Sequence, residues 1–258
     1  MTIPAPNIGA FVVGFLFTFL LPMGLVVVLL IKRKVTWLPL LMGAGTFFVS
    51  QIVLRLPLLS ILATMPWWQA FSTHLVPFVL VVALSAGLFE ESARLGGALL
   101  LKERTSYRDI ISFGLGHGLC EVIMIVGMTH INNLIFSMAI TDPNAFGGVM
   151  ALLPAETLET IAVQLAPANP LDVFAGILER VGAVLFHIFA AFLIYRGVIR
   201  HQKARYFTLA VIAHTAINFA VVMLARATGT WVTTAIIVLL GAAAAWYAWQ
   251  QRPAASHH

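Results

Sequence analysis

The sequence predicts an all-α, polytopic membrane helix bundle of about seven transmembrane helices, and three observations lead there. Of its 258 residues 60% are hydrophobic and only 10% charged, with a mean hydropathy of +0.96, against roughly 25% charged in ordinary soluble domains. The apolar residues gather in seven runs, each near or above the ~20 residues that cross a ~30 Å hydrocarbon core. Basic residues collect in alternate connections between those runs, as membrane insertion requires.

The runs follow one another at 8–31, 37–62, 75–101, 109–129, 173–195, 206–225 and 230–249. Polar or turn-forming stretches separate them: Lys32-Arg33-Lys34, Met65-Pro66, Lys102 to Tyr107, a long loop over about 130–172, Arg200 to Arg205, and Ala227 to Gly229. Met1 to Asn7 lacks the basic start and small-residue cleavage site of a secretory signal, so the first run is expected to stay as a helix. With the N-terminus outside, the inner connections hold eleven of the fifteen Lys and Arg residues and the outer ones only Arg226. That bias predicts an integral protein of the cell membrane with its N-terminus outside and C-terminus cytoplasmic.

Within the long outer loop, Leu158, Ile161, Ala162 and Leu165 recur at helical spacing, with Glu156, Glu159 and Gln164 on the other side. This is either a short interfacial helix or a gate over a substrate entrance. No fixed-period repeat and no inserted soluble domain is visible. Residues 1–258 therefore read as one integral-membrane domain, with a core at about 75–225 and peripheral helices at 8–31, 37–62 and 230–249. The net charge of +5 follows the membrane rather than forming a patch, so the expected partners are membrane lipids and a membrane-associated protein or peptide, with no nucleic acid. A single cysteine, Cys120, excludes an intrachain disulfide. His257 and His258 look like the remains of a purification tag.

Ionisable groups inside the runs carry the functional signal. The third has Glu90, Glu91 and Arg94; the fourth His117 and Glu121; the fifth Glu179, Arg180 and His187; the sixth His214 and Asn218. A charged side chain at the centre of a bilayer costs about 3 kcal/mol on insertion scales. At 1.5 Å per residue, Glu90 lies about 16 Å from the inner end of its run, and His117, His187 and His214 each about 12 Å. Four helices of alternating direction thus place their polar groups in one slab. His117 and Glu121 are four residues apart, as are His214 and Asn218, so each pair shares a helix face. Arg94 is four from Glu90 and three from Glu91. Other polar residues have blander expectations: Arg55 snorkels or pairs locally, Glu179 and Arg180 form a structural ion pair, and His130 is solvated at the edge of the outer loop. His74 and His201 belong to connections, and Cys120 is a small core residue.

Imidazoles with carboxylates suit zinc, and a catalytic zinc keeps three protein ligands and an open position. On that scheme His117, His187 and His214 are the nitrogen ligands and Glu90 or Glu91 the general base. A metal-free scheme also works, in which a glutamate activates water while histidine and asparagine stabilise the oxyanion. Either yields hydrolysis of a peptide bond in a shielded cavity.

At these residues the sequence resembles the YhfC family of intramembrane metalloproteases, and through it the PrsW proteases and the CAAX-prenyl protease and bacteriocin-immunity superfamily. The similarity rests on Glu90-Glu91-Ser-Ala-Arg94, Gly116-His117-Gly-Leu-Cys-Glu121, Glu179-Arg180 followed by His187, and His214-Thr-Ala-Ile-Asn218. The resemblance implies a four-helix core around the polar site, with Glu90 or Glu91 as catalytic carboxylate and Arg94 as its partner. It implies that His187 and His214 line the same site, with Asn218 as oxyanion or metal support. The CAAX pattern has a histidine where this chain has Glu121, so that role falls to Glu121 or to nearby His117. Two other readings stand beside the endopeptidase: a proton-coupled transporter, since membrane Glu/His chains also relay protons, and a non-catalytic scaffold or immunity-type protein.

Overall fold

The computed structural model describes residues 2–142 and 154–251, so the tag-like His257 and His258 and the centre of the outer loop lie outside the described residues. The described residues are helical. Seven helices are long and apolar enough to cross a membrane: α1 (Ala5–Ile31), α2 (Trp37–Ala63), α4 (Leu75–Leu100), α5 (Tyr107–Thr141), α7 (Pro170–Ile199), α8 (Lys203–Thr228) and α9 (Thr230–Gln250). Two shorter ones, α3 (Pro66–Ser72) and α6 (Ala155–Leu165), lie between them. The seven expected spans are therefore present, with one correction. The fourth continues as helix to Thr141, twelve residues past its expected end at 129 (141 − 129). Met128 to Thr141 remain apolar on one side, which the polar His130, Asn132 and Asn133 disguise in the sequence.

The chain forms two compact units. One comprises 1–27 and 122–180. Here Ile3, Phe11 and Leu165 form a small core with Ile8, Ile140 and Ile161. The amide of Asn7 donates to the carbonyls of Leu165 and Ala166, both at 3.1 Å, and so satisfies the end of α6. That helix buries Ala162 and Leu165 and exposes Glu156, Glu159 and Gln164, the two sides its periodicity predicts. His130 is buried, not solvated, packed against Gly14 and 6.4 Å from the ring of Phe11.

The other unit, 28–121 and 181–258, holds the polar slab. Its helices are polar inside and apolar outside. On α4 the side facing outward carries Leu80, Leu84 and Leu88, 47%, 41% and 42% exposed, whereas Glu90, Glu91 and Arg94 are 5%, 0% and 0% exposed. The acids thus face protein, and the desolvation that bilayer placement imposes is met by partners rather than by lipid.

Prolines shape two of the helices. A proline ring clashes with the carbonyl four residues back and offers no N–H. Before Pro22 and before Pro57 the helix widens into π-type turns, Leu16–Leu20 and Phe48–Arg55, with Leu21 N–H donating to Leu16 O and Leu56 N–H to Gln51 O. The wide stretch of α2 buries Ser50, Gln51 and Arg55 on one side. A third π stretch, Val122–Gly127 in α5, contains no proline.

Helix ends follow the local chemistry. Ser106 caps α5: its hydroxyl accepts the Asp109 N–H at 3.1 Å, and donates to the Asp109 carboxylate at 2.6 Å. Helices α1 and α7 end in Schellman turns, with Lys34 N–H reaching Leu29 O and Gln202 N–H reaching Gly197 O. Arg33 and His201 take the left-handed position there, at φ 50° and 55°.

Small residues bring α2 against α5. A Cβ on Gly116 would stand 1.9 Å from the Leu40 carbonyl oxygen, and one on Gly43 1.9 Å from that of Phe113. Close backbone approach of this kind is how small residues hold membrane helices together. Gly116→Ala is expected to separate the two helices and cost about 1–3 kcal/mol, the range for overpacking. A thermal unfolding scan of the detergent-purified variant checks this; an unchanged transition would contradict it.

Candidate functional site

Seven of the eight predicted site residues meet in one cluster inside the second unit. It is best built outward from Glu90. Its Oε1 accepts the side-chain amide of Gln51 at 2.8 Å, and its Oε2 lies 3.0 Å from His117 Nε2 and 3.6 Å from His214 Nε2. Glu91, the neighbour in sequence, points elsewhere. Its Oε1 is 2.8 Å from His214 Nδ1 and its Oε2 is 3.5 Å from Arg94 Nε. Arg94 then reaches α7, donating from Nη1 to the His187 carbonyl at 3.1 Å and from Nη2 to His187 Nδ1 at 3.0 Å. His187 Nε2 faces Glu121 Oε2 at 2.5 Å.

Hydrogen-bond polarity assigns the tautomers. Thr46 has one hydroxyl proton and gives it to Gly43 O at 2.7 Å. With that proton on Gly43, its oxygen, 3.0 Å from His117 Nδ1, is the acceptor of an Nδ1–H. A neutral His117 therefore turns an unprotonated Nε2 towards Glu90. His214 does the same, because its Nδ1 proton goes to the Glu91 carboxylate that Arg94 pairs. His187 is the opposite case: Arg94 donates to its Nδ1, so its proton sits on Nε2 and goes to Glu121.

The result is a convergence of electron pairs. Glu90 Oε2, His117 Nε2 and His214 Nε2 all present lone pairs to one region, where a cation or a proton is the species that relieves their repulsion. Imidazole nitrogen and carboxylate oxygen are zinc donors. A ligating histidine characteristically has its other nitrogen held by a carboxylate or another oxygen, as Glu91 and Thr46 hold these two. The donor set fits a divalent metal. Distance alone selects a slightly different trio: ligand atoms of Glu90, His117 and His187 lie within 4.8 Å of one another. Glu90 and His117 satisfy both criteria. His187 Nε2 also faces Glu121 Oε2, whereas His214 Nε2 lies 3.6 Å from Glu90 Oε2.

Aromatic rings flank the cluster. Phe47 sets its edge against His117 and Phe186 against His214, both with ring centroids 5.4 Å apart. His117 is 0%, His214 2% and His187 3% exposed. The Glu121 side chain, at 19%, is the most open of the carboxylates in the cluster. Asn218, one turn beyond His214 on α8, is half-buried, and its side chain makes no hydrogen bond to another described residue. Glu179 and Arg180 pair with each other in the first unit, the expected structural ion pair.

Span two was expected to be peripheral, yet it supplies Thr46, Gln51 and Arg55 to the site. Arg55 does not snorkel. It is 8% exposed and donates to Gln51 Oε1 at 2.9 Å, Ser85 Oγ at 3.0 Å and Val82 O at 2.8 Å. Its four-residue spacing from Gln51 makes it local, as expected, and through Gln51 it fixes the amide whose N–H holds Glu90. The sequence signal was Ser50, Gln51 and Arg55 in an otherwise apolar run.

A sequence model for the YhfC intramembrane metalloprotease family matches residues 17–240. The chain belongs to that family. The match takes in every residue of the cluster and all seven membrane-length helices in whole or in part. The chain is also 28% identical over 216 residues to the "Uncharacterized membrane protein YhfC" of Bacillus subtilis (strain 168), covering 81% of each chain. No solved structure matches. Like that relative, this YhfC-family chain is an integral membrane protein.

Proposed function

We propose that this protein is an intramembrane endopeptidase that hydrolyses a peptide bond of a membrane-associated substrate. One observation carries the reading: Nε2 atoms of two buried imidazoles, His117 and His214, lie 3.0 Å and 3.6 Å from Glu90 Oε2, while Thr46 and Glu91 stand at their Nδ1 atoms. Packing and ion pairing alone do not call for that arrangement. Membership of a metalloprotease family supports it independently.

On this reading His117 and His214, through Nε2, and Glu90, through Oε2, would hold a zinc ion. When bound, zinc supplies Lewis acidity for the scissile carbonyl and lowers the pKa of water. The chain's own residues do the rest. Glu121, the most exposed carboxylate of the cluster, takes the proton from the attacking water and delivers it to the leaving amine. His187 hydrogen-bonds Glu121 and sets its direction. Asn218 has a free amide one turn from His214 and stabilises the developing oxyanion. Glu91 and Arg94 are positioning residues: Arg94 holds Glu91 and His187, and Glu91 orients His214. Orientation with the N-terminus outside and the C-terminus cytoplasmic, in the cell membrane, remains part of the proposal and rests on the basic connections.

The test is cleavage in proteoliposomes. A library of single-span peptides, read by mass spectrometry, is expected to yield cut products with wild-type protein. Dialysis against a chelator should stop cleavage and added zinc should restore it. Cleavage that survives chelation would move the chemistry to the glutamates alone. An absence of cleavage, with proton-coupled flux in sealed vesicles, would favour a transporter, which could use the same series of contacts, Glu121–His187–Arg94–Glu91–His214–Glu90, as a relay.

A further inference from the structure

A second feature of the larger unit lies apart from the acid and histidine cluster. At the end of α7, between the start of α5 and the end of α9, is a cleft of about 220 Å³. Its floor is apolar: Ile110, Phe192 and Leu193 are 5%, 8% and 8% exposed. Ile199 extends the apolar wall outward and is half-exposed. Two cations, Arg196 and Arg200, line the same cleft. Neither has a carboxylate partner among the described residues.

Arg196 is pre-organised rather than loose. Its Nη1 donates to Tyr247 Oη and to Gln251 Oε1, both at 2.9 Å, and its guanidinium carbon lies 5.9 Å from the ring centroid of Tyr206. Both Tyr247 and Gln251 are neutral, so the positive charge stays uncompensated while the side chain is held in place. Arg200 follows four residues later, in the turn just past the end of α7, exposed at the rim. The cleft sits at the ends of three membrane-length helices, the depth at which a bilayer changes from acyl chain to headgroup. Lys203 and Arg205 follow directly in the connection to α8. An apolar floor with an unpaired cationic rim at headgroup depth fits an amphiphile whose polar end is an anionic phosphate.

We infer that this cleft is a binding site for an acidic phospholipid, with Arg196 and Arg200 on the headgroup phosphate and the first acyl carbons against Phe192, Leu193 and Ile199. The site is independent of the proposed hydrolysis. It ties the ends of α5, α7 and α9 to the lipid composition of the membrane.

Native mass spectrometry of the full-length protein, exchanged into detergent with equimolar phosphatidylglycerol and phosphatidylcholine, tests it. Wild-type protein is expected to retain one phosphatidylglycerol per chain in clear preference to phosphatidylcholine. Arg196→Gln with Arg200→Gln should lower that retention roughly twenty-fivefold, from about fivefold for each basic residue at a membrane surface. Restoring charge with lysine at both positions should recover most of it. If the double variant fails to fold, Arg200→Gln alone, at an exposed position, should still show a loss of about fivefold. Equal retention of the two lipids by wild type, or undiminished retention by a folded glutamine variant, would overturn the site. Displacement of the lipid by millimolar glycerol phosphate would overturn the lipid assignment in favour of a soluble phosphate.

Discussion

Glu90→Gln is expected to reduce cleavage by roughly a thousandfold, the scale of a lost acid–base or ligating carboxylate, while leaving the fold intact. The amide is nearly isosteric. Its oxygen can keep the Gln51 hydrogen bond now made at 2.8 Å, and its N–H₂ can donate to the bare Nε2 of His117, now 3.0 Å away. Glutamine therefore satisfies the same neighbours but brings no negative charge to the convergence with His117 and His214. Thermal unfolding of the purified variant should match wild type to within about 2 °C when both are freed of metal with a chelator, well under the shift expected from losing a buried ion pair. A variant that keeps full activity would reduce Glu90 to a structural residue. One that unfolds would show that its charge, rather than its hydrogen bonds, holds the cluster together.

Arg94→Ala should act in the opposite way, on stability first. Arg94 and Glu91 are both 0% exposed, and the guanidinium also donates to the carbonyl and Nδ1 of His187. Truncation leaves a carboxylate buried with His214 as its remaining neighbour and removes the donor that fixes the His187 tautomer. Removing one partner of a buried ion pair typically costs about 3–5 kcal/mol. Adding Glu91→Gln to Arg94→Ala should return more than half of the lost stability, because the second change removes the uncompensated charge. A double-mutant cycle of unfolding free energies reads this directly. Simple additivity would mean that the two groups do not depend on each other. Arg94→Lys should be intermediate, since an ammonium cannot reach Glu91 and both His187 acceptors in one plane.

The sequence already contained the span count, the polar slab and the cluster members Glu90, Glu91, Arg94, His117, Glu121, His187 and His214. That legibility has a physical source: ionisable groups are so costly in hydrocarbon that their presence in apolar runs announces a shared interior. Neighbours such as Glu90 and Glu91, however, were interchangeable in the sequence. About 100° of helix rotation separates them, from 3.6 residues per turn, and only packed coordinates show that one faces the imidazoles while the other faces Arg94. The role of span two was also hidden. Gln51 and Arg55, four residues apart, share a face in a regular helix, but the sequence alone does not say that this face turns towards Glu90. Tautomers were beyond reach for a similar reason, since they follow from the single hydroxyl proton of Thr46 and from the guanidinium of Arg94. The end of α5 was misplaced because His130, Asn132 and Asn133 read as loop, although they continue the helix.

The central claim is that Nε2 of His117, Nε2 of His214 and the Glu90 carboxylate form a ligand set for a divalent ion. Inductively coupled plasma mass spectrometry on purified, folded protein tests it most directly. Wild type is predicted to hold close to one zinc per chain, with His117→Ala and His214→Ala losing most of it and His187→Ala retaining it. No stoichiometric metal in wild type, or loss in His187→Ala with retention in His214→Ala, would contradict the account.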